Sequence, residues 1–276
     1  MDYKLPQRME VSNKSTYGKV LNISGSDYMP GAAYLSSIAS LKVGCGYCFL
    51  VTTEIAKNII ASQCPNLVFV PIQGLKEEIK YSDTILVGCG LAINETSVVV
   101  FDKLINYAKK ETPLIIDADG LNILATIKRD AFMDREFDNI ILTPHPKEAS
   151  RLLDCSVDDI LADLEGSAQK ISQMYNSTTV LKTHKTIIYT PDGRKYINTT
   201  GNNALAKSGS GDVLAGMISG FIAQKKDVFE ACALAVYLHG LAGDLAAQDL
   251  TQYSVLPQDV INYIPCAIKK YMSNKQ

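Results

Sequence analysis

The chain has 276 residues, of which 47% are hydrophobic and 20% charged, with a formal net charge of -2. That supplies enough apolar material for one well-buried α/β domain over residues 1–276, and with a balance this close to neutral and no strongly basic face evident, nucleic acid is not expected as the main partner. The first residues are polar and lack an apolar h-region, so no signal peptide is expected.

Apolar runs and helical periods alternate along the chain. The first predicted strand, Val20–Ile23, runs into Ser24-Gly-Ser26 and a helix over Gly31–Val43 that opens with Pro30 and small residues. A strand at Tyr47–Thr52, a helix at Glu54–Ala61 and a strand at Leu67–Val70 follow. Strand Thr84–Val87 leads into Gly88-Cys-Gly90 and helix Glu95–Lys110, and strand Leu114–Asp117 into Asp117-Ala-Asp-Gly120 and helix Leu121–Ile127. Strand Asn139–Thr143 ends in Thr143-Pro-His-Pro146 before helix Lys147–Leu153. Helix Glu165–Tyr175, strands Thr179–Leu181 and Thr186–Thr190, and helices Asp212–Ala223, Val228–Gln248 and Pro257–Met272 complete the pattern. The stretch Phe229 to Ala247 is the most apolar, but it carries Glu230, His239 and Asp244 and reads as a buried helix, so no membrane partner is expected.

Continuous apolar strands suit a parallel sheet covered on both faces, and the alternation predicts a doubly wound αβα sandwich with its last third packed on one face. Four polar motifs follow strands directly. In open α/β sheets such loops gather at the carboxyl edge, where ligands bind.

Seven cysteines, at 45, 48, 64, 89, 155, 232 and 266, lie mostly in apolar segments and read as reduced thiols of a cytoplasmic protein. Cys45 and Cys48 have redox or half-zinc spacing, but no second pair follows, so no four-ligand metal site is expected.

The stretch Gly209-Ser-Gly-Asp212, at the start of an apolar helix, is the most informative. Such a run aims backbone N–H groups at an anion, and the helix dipole favours negative charge there. Asp212 beside that hole is placed to take a proton from a hydroxyl, which is the equipment of phosphoryl transfer. A capped helix start is the plainer reading of the tetrapeptide alone. His145 is held between two prolines at a strand end and is expected to contact ligand. Asp117 and Asp119 read more simply as caps for the following helix than as direct metal ligands. Lys182-Thr-His-Lys-Thr186 reads either as a solvated hairpin tip or as lysines that meet phosphates. Neither a P-loop nor a Gly-x-Gly-x-x-Gly fingerprint is present, which disfavours P-loop enzymes and Rossmann dehydrogenases.

Taken in order, Asn22…Gly25-Ser26…Tyr28…Gly31-Ala-Ala33, Gly88-x-Gly-Leu91, Asp117-Ala-Asp-Gly-Leu-Asn122, Thr143-Pro-His-Pro146…Glu148 and Gly209-Ser-Gly-Asp-Val-Leu-Ala-Gly216 resemble the NAD(P)H-hydrate dehydratase family of the ribokinase-like superfamily, from about Asn22 to Leu256. The resemblance implies a ribokinase-like fold and a repair reaction. ADP or ATP phosphorylates the hydroxyl of hydrated NADH or NADPH, and phosphate elimination restores the cofactor, with Mg2+ expected. It implies that Ala33, Gly90, His145 and Asp212 contact the hydrated dinucleotide. It further implies that Lys182, Thr183, His184, Lys185, Thr186, Gly209, Ser210 and Gly211 hold the adenine nucleotide, that no protein metal ligand is assigned, and that the protein is a homo-oligomer. The chain departs from the family pattern at Thr183, at Lys207-Ser208 and at Gly88-Cys-Gly-Leu-Ala92, where the family usually has Lys-Gly, Thr-Gly and Gly-Pro-Gly-Leu-Gly. A small-metabolite kinase and a non-catalytic nucleotide-binding protein are the alternatives.

Overall fold

The computed structural model describes residues 3–127, 130, 132, 134 and 136–274. Its centre is a nine-stranded sheet in the order β3-β2-β1-β4-β5-β6-β7-β8-β9. The strands are β1 Lys19–Ile23, β2 Tyr47–Val51, β3 Val68–Phe69, β4 Thr84–Val87, β5 Leu114–Ile116, β6 Ile140–Leu142, β7 Ser177–Leu181, β8 Ile187–Tyr189 and β9 Lys195–Ile197. Strands β1 to β7 pair in parallel and β8 and β9 antiparallel.

The helices are α1 Pro30–Lys42, α2 Glu54–Ala61, α3 Leu75–Tyr81, α4 Glu95–Tyr107, α5 Asp119–Thr126, α6 Pro146–Leu153, α7 Val157–Ala162, α8 Leu164–Met174, α9 Ser210–Ala223, α10 Val228–Ser254 and α11 Pro257–Ser273. The central strands are apolar throughout because both faces are covered. Leu86, Ile115, Ile141, Val180 and Ile188 point to one face, against α9, α10 and α11. Their neighbours Ile85, Val87, Leu114, Ile116, Ile140 and Leu142 point to the other, against α3, α4, α5 and α6. The αβα sandwich and the one-sided helical last third match the expectation.

Among the described residues the sequence reading missed two short α-helices and one edge strand, besides short 3-10 turns. Helix α3 buries only Leu75 and Ile79 among charged neighbours, α7 is six residues long, and the edge strand β9 has no buried residue. Helix α4 stops at Tyr107 instead of Lys110 because Ala108 turns extended, at ψ 136°. Helix α10 is long and apolar enough to cross a membrane by length and composition, but most of that stretch is buried inside the fold.

The chain runs from β1 to β2 and β3 on one side, then returns to place β4 on the other side of β1. Neighbouring loops diverge at such a reversal and open a crevice at the carboxyl ends of the strands. Here the loops after β1 and β4 meet, and the Gly25 N–H donates to the Cys89 carbonyl at 2.8 Å.

Candidate active site

The crevice is shaped first by backbone. Gly90 has φ +60°, and a Cβ there would lie 2.6 Å from the Ala32 Cβ, so only glycine lets this loop close on the start of α1. Ala33 lies in the same contact region and is fully buried, so its small volume, not an exposed side chain, is what it lends. Beneath them, buried Asn22 donates from Nδ2 to Ser36 Oγ and Ser37 Oγ, both at 2.9 Å, which pins α1 to β1.

The side chains converge on Asp117, 1% exposed at the end of β5. Lys182, just past β7, donates from Nζ to Asp117 Oδ1 at 2.5 Å, and Thr143 Oγ1 donates to the same oxygen at 2.6 Å. The Cys89 thiol donates to Oδ2 at 3.5 Å. The carboxylate therefore does not cap α5, whose start has no side-chain cap. That corrects the capping expectation for Asp117. Asp119 does not cap α5 either: its Oδ2 accepts the Ala92 N–H at 2.8 Å and ties the loop after β4 to α5. Between the two acids Ala118 sits at φ +47°, and the Gly120 N–H donates to the Asp117 carbonyl at 2.9 Å. A left-handed alanine is strained, and strain of this kind clusters at functional sites.

Helix α9 begins one residue before Gly211. Its N-cap Gly209 has φ +98° and no side-chain cap, and the Ser210 N–H donates to the Lys207 carbonyl at 3.2 Å, which leaves the Gly211 and Asp212 N–H groups for the crevice. A Cβ on Gly211 would lie 3.4 Å from Lys182 Nζ, which places the ammonium at the mouth of this anion hole. Ser210 Oγ and buried His239 Nε2 are 3.3 Å apart, and burial lowers His239 to about 4, so the ring is neutral. In the first turn, burial and then repulsion from Asp117 push Asp212 up to about 6. Burial works against the charge of Lys182, but Asp117 and Glu148 outweigh it and the net shift is upward. An acid poised near 6 beside a fixed cation and free N–H groups suits proton abstraction coupled to phosphoryl transfer.

His145 is the N-cap of α6. Its Nδ1 accepts the N–H groups of Lys147 and Glu148 at 3.1 and 3.3 Å, while Glu148 Oε2 accepts the His145 N–H at 2.8 Å. With Nδ1 accepting, the neutral ring carries its proton on Nε2, 3.2 Å from Glu148 Oε1. Burial, followed by the Lys182 charge, lowers His145, and burial raises Glu148 to about 7. The Lys182 N–H donates to the Pro144 carbonyl at 2.8 Å, so the β7 end and the His145 loop share a wall.

The structure thus brings Asp212, Gly211, Ser210, Gly209, Lys182 and His145 to one edge. His184 and Lys185 are exposed at the β7–β8 tip. Thr183 Oγ1 donates to the Lys185 carbonyl at 2.9 Å, and buried Thr186 donates to the Thr183 carbonyl at 3.3 Å, which closes that turn on itself. Sequence reasoning did not foresee Cys89, Thr143, Glu148 and His239 in these roles. The first three stood in strand-end motifs, which was the available signal; nothing marked His239.

A metal ion has donors here. Cys89 Sγ and oxygens of Asp117 and Asp212 lie within 4.8 Å of one another. The carboxylate oxygens suit Mg2+, which takes one or two carboxylates and completes its shell with water and substrate phosphates. The thiol does not suit it: burial and the two aspartates keep Cys89 protonated.

Residues 20–266 match the family model described as NAD(P)H-hydrate dehydratase. The chain belongs to this family. The ADP-dependent (S)-NAD(P)H-hydrate dehydratase of Neisseria meningitidis is 36% identical over 86% of this chain and 80% of its own length. That of Bacillus subtilis is 32% identical over 97% and 95%. The solved B. subtilis ADP/ATP-dependent NAD(P)H-hydrate dehydratase, co-crystallised with ATP/Mg2+, superposes with a TM-score of 0.85 at 31% identity, covering 97% of this chain and 94% of that one. The chain spans 52% of bifunctional NAD(P)H-hydrate repair enzymes such as that of Moorella thermoacetica. A hydroxyethylthiazole kinase from Pyrococcus horikoshii, 14% identical with a TM-score of 0.65 over 91% of this chain and 89% of its own, shares the fold. The dehydratase family therefore accounts for almost the whole described chain, the crevice included.

Proposed function

We propose that the chain is an ADP-dependent dehydratase that restores NADH or NADPH from the hydrated form. The observation that carries this reading is the placement of Asp212 in the first turn of α9, beside free N–H groups and the Lys182 ammonium. Asp212 takes the proton of the ring hydroxyl as the hydroxyl oxygen attacks the terminal phosphoryl group of ADP, and AMP leaves. The ring nitrogen then pushes out phosphate by breaking the C–O bond. Loss of a proton from the adjacent ring carbon forms the double bond. The sum is hydrated NADH plus ADP giving NADH, AMP, phosphate and a proton.

The N–H groups of Gly211 and Asp212, with Lys182, would stabilise charge on the transferred group. His145, its ring fixed by Glu148, would line the substrate site, and Gly90 and Ala33 would leave room for the ring against α1. Mg2+, when bound, neutralises phosphate charge; Asp117 and Asp212 would hold it through their oxygens and its waters.

The test is Asp212→Asn, an isosteric change. Turnover of hydrated NADH should fall by at least ~10²-fold, as loss of a general base does, while binding of ADP persists. Undiminished turnover would remove Asp212 from the reaction.

A further inference from the structure

The loop after β4 carries Gly90 and, two residues on, Ala92, which sits in the left-handed region at φ +61°. A side chain disfavours that backbone form, so the loop keeps it only where its surroundings hold it there. The Ala92 N–H donates to Asp119 Oδ2 at 2.8 Å. Asp119 is held in turn. Its Oδ1 accepts from Asn122 Nδ2 at 3.4 Å, and Asn122 Oδ1 accepts from Arg151 Nη1 at 2.6 Å. Asp119 and Asn122 stand three positions apart on α5, a spacing that puts them on one face of the helix. Arg151 is in the last turn of α6, whose N-cap is His145. Both ends of the Asn122 amide have their own partner, so a flip of the side chain loses both bonds.

We propose that Arg151, Asn122 and Asp119 form a positioning relay that holds the Gly90 loop in its strained, closed form and ties it to the helix that carries His145. The role in catalysis rests on the dehydratase reading, in which Gly90 and His145 border the nicotinamide ring. The relay runs from α6 through α5 to the loop after β4, and so bridges the loops of β4, β5 and β6, which are neighbours in the sheet. Both ends of its last bond lie on or beside strained backbone, since Ala118, just before Asp119, is at φ +47°. Strain of this kind persists only where several contacts over-determine it. Little free play remains at Gly90 itself, where a Cβ would lie 2.6 Å from the Ala32 Cβ and 3.0 Å from the Met29 Cβ. A loop that relaxes at Ala92 therefore shifts Gly90 against the start of α1, and the room for a substrate ring changes with it. None of this touches the phosphoryl end of the crevice at Gly211 and Lys182, so the relay acts on the acceptor and not on ADP.

Two variants break the relay and spare Asp119, whose charge also reaches Asp212. Asn122→Leu keeps the volume and removes both amide bonds; Arg151→Met keeps the stem and removes the donor. Turnover is measured at pH 8, where Asp212 is ionised, and amide hydrogen exchange is followed at Ala92. Each variant should raise KM for hydrated NADH by ~3- to 10-fold, the factor one hydrogen bond supplies, and leave kcat and KM for ADP unchanged. Each should also speed exchange of the Ala92 amide. Ala92→Gly removes the strain that the relay opposes. Alone it should turn over like the wild type, and combined with Asn122→Leu it should bring KM for hydrated NADH back toward the wild-type value. Unchanged exchange at Ala92 in both variants would overturn the relay whatever the turnover. Faster exchange with an unchanged KM for hydrated NADH would overturn its role in the site, and so would equal losses on hydrated NADH and ADP or a double variant no better than Asn122→Leu. A wild type that converts hydrated NADH with neither ADP nor ATP would overturn the dehydratase reading, and the catalytic role of the relay with it, while the exchange rates would still report the hold on Ala92.

Discussion

Asp212 is the residue whose chemistry is most exposed to test. Its folded carboxyl binds a proton more tightly than the unfolded one, with a value near 6 against the usual 3.8. That contribution favours the fold below about pH 4 and is lost as the pH rises through about 6, so the ionised group strains the protein at neutral pH by up to about 3 kcal/mol. Asp212→Asn should therefore be more stable than the wild type in urea at pH 7.5 and no more stable at pH 4. Equal midpoints at both values would show that burial does not strain this group. Turnover needs the ionised base, so kcat/KM should fall as the pH drops below about 6. Cys89 is the second residue with a defined outcome, because its thiol holds Asp117 Oδ2 while Lys182 holds Oδ1. Leaving a carboxylate oxygen without its donor costs about 1–3 kcal/mol. Cys89→Ala should lower kcat by ~10-fold, and Cys89→Ser should recover most of it; equal loss in both would assign the effect to packing. Asp212, His145 and Lys182 were legible because each sits in a local motif. The role of Asp117 was not: its ammonium partner is 65 positions away, and a strand-end aspartate before a helix looks like a cap until the fold closes.

Between elements, α9 packs tightly on α1. A Cβ on Gly216 would lie 2.1 Å from the Ser36 carbonyl oxygen, with helix backbone as the obstacle. A side chain there must push the two helices apart. Since α9 carries Asp212 and α1 borders Gly90, the crevice opens with it. Gly216→Val should cost about 3 kcal/mol or more in urea unfolding, in the upper range for overpacking, and should raise KM for ADP in whatever folds. Unchanged stability would contradict the tight packing. The long helices and central strands were readable from periodicity, because each buries a continuous apolar stripe or run. Helix α3 was not, because Leu75 and Ile79 are its whole buried face, and neither was edge strand β9, whose residues pair backbone but bury no side chain.

At the level of the whole molecule, the sheet order explains why separate motifs make one site. The reversal between β1 and β4 opens the crevice, and the strand-end loops of β1, β4, β5, β6 and β7 reach it from one edge. The sequence predicted that edge because four polar motifs each followed a strand. It could not predict the strand order, which depends on pairings between distant segments. The central claim is that this crevice moves a phosphoryl group from ADP to a hydrated nicotinamide and expels it again. The direct measurement is to incubate the protein with hydrated NADH, Mg2+ and ADP while following the absorbance of the dihydronicotinamide and the nucleotide products. The account predicts that the absorbance returns, with one AMP and one phosphate formed for each NADH restored. No return of absorbance with either ADP or ATP, or a stable phosphorylated product in its place, would contradict it.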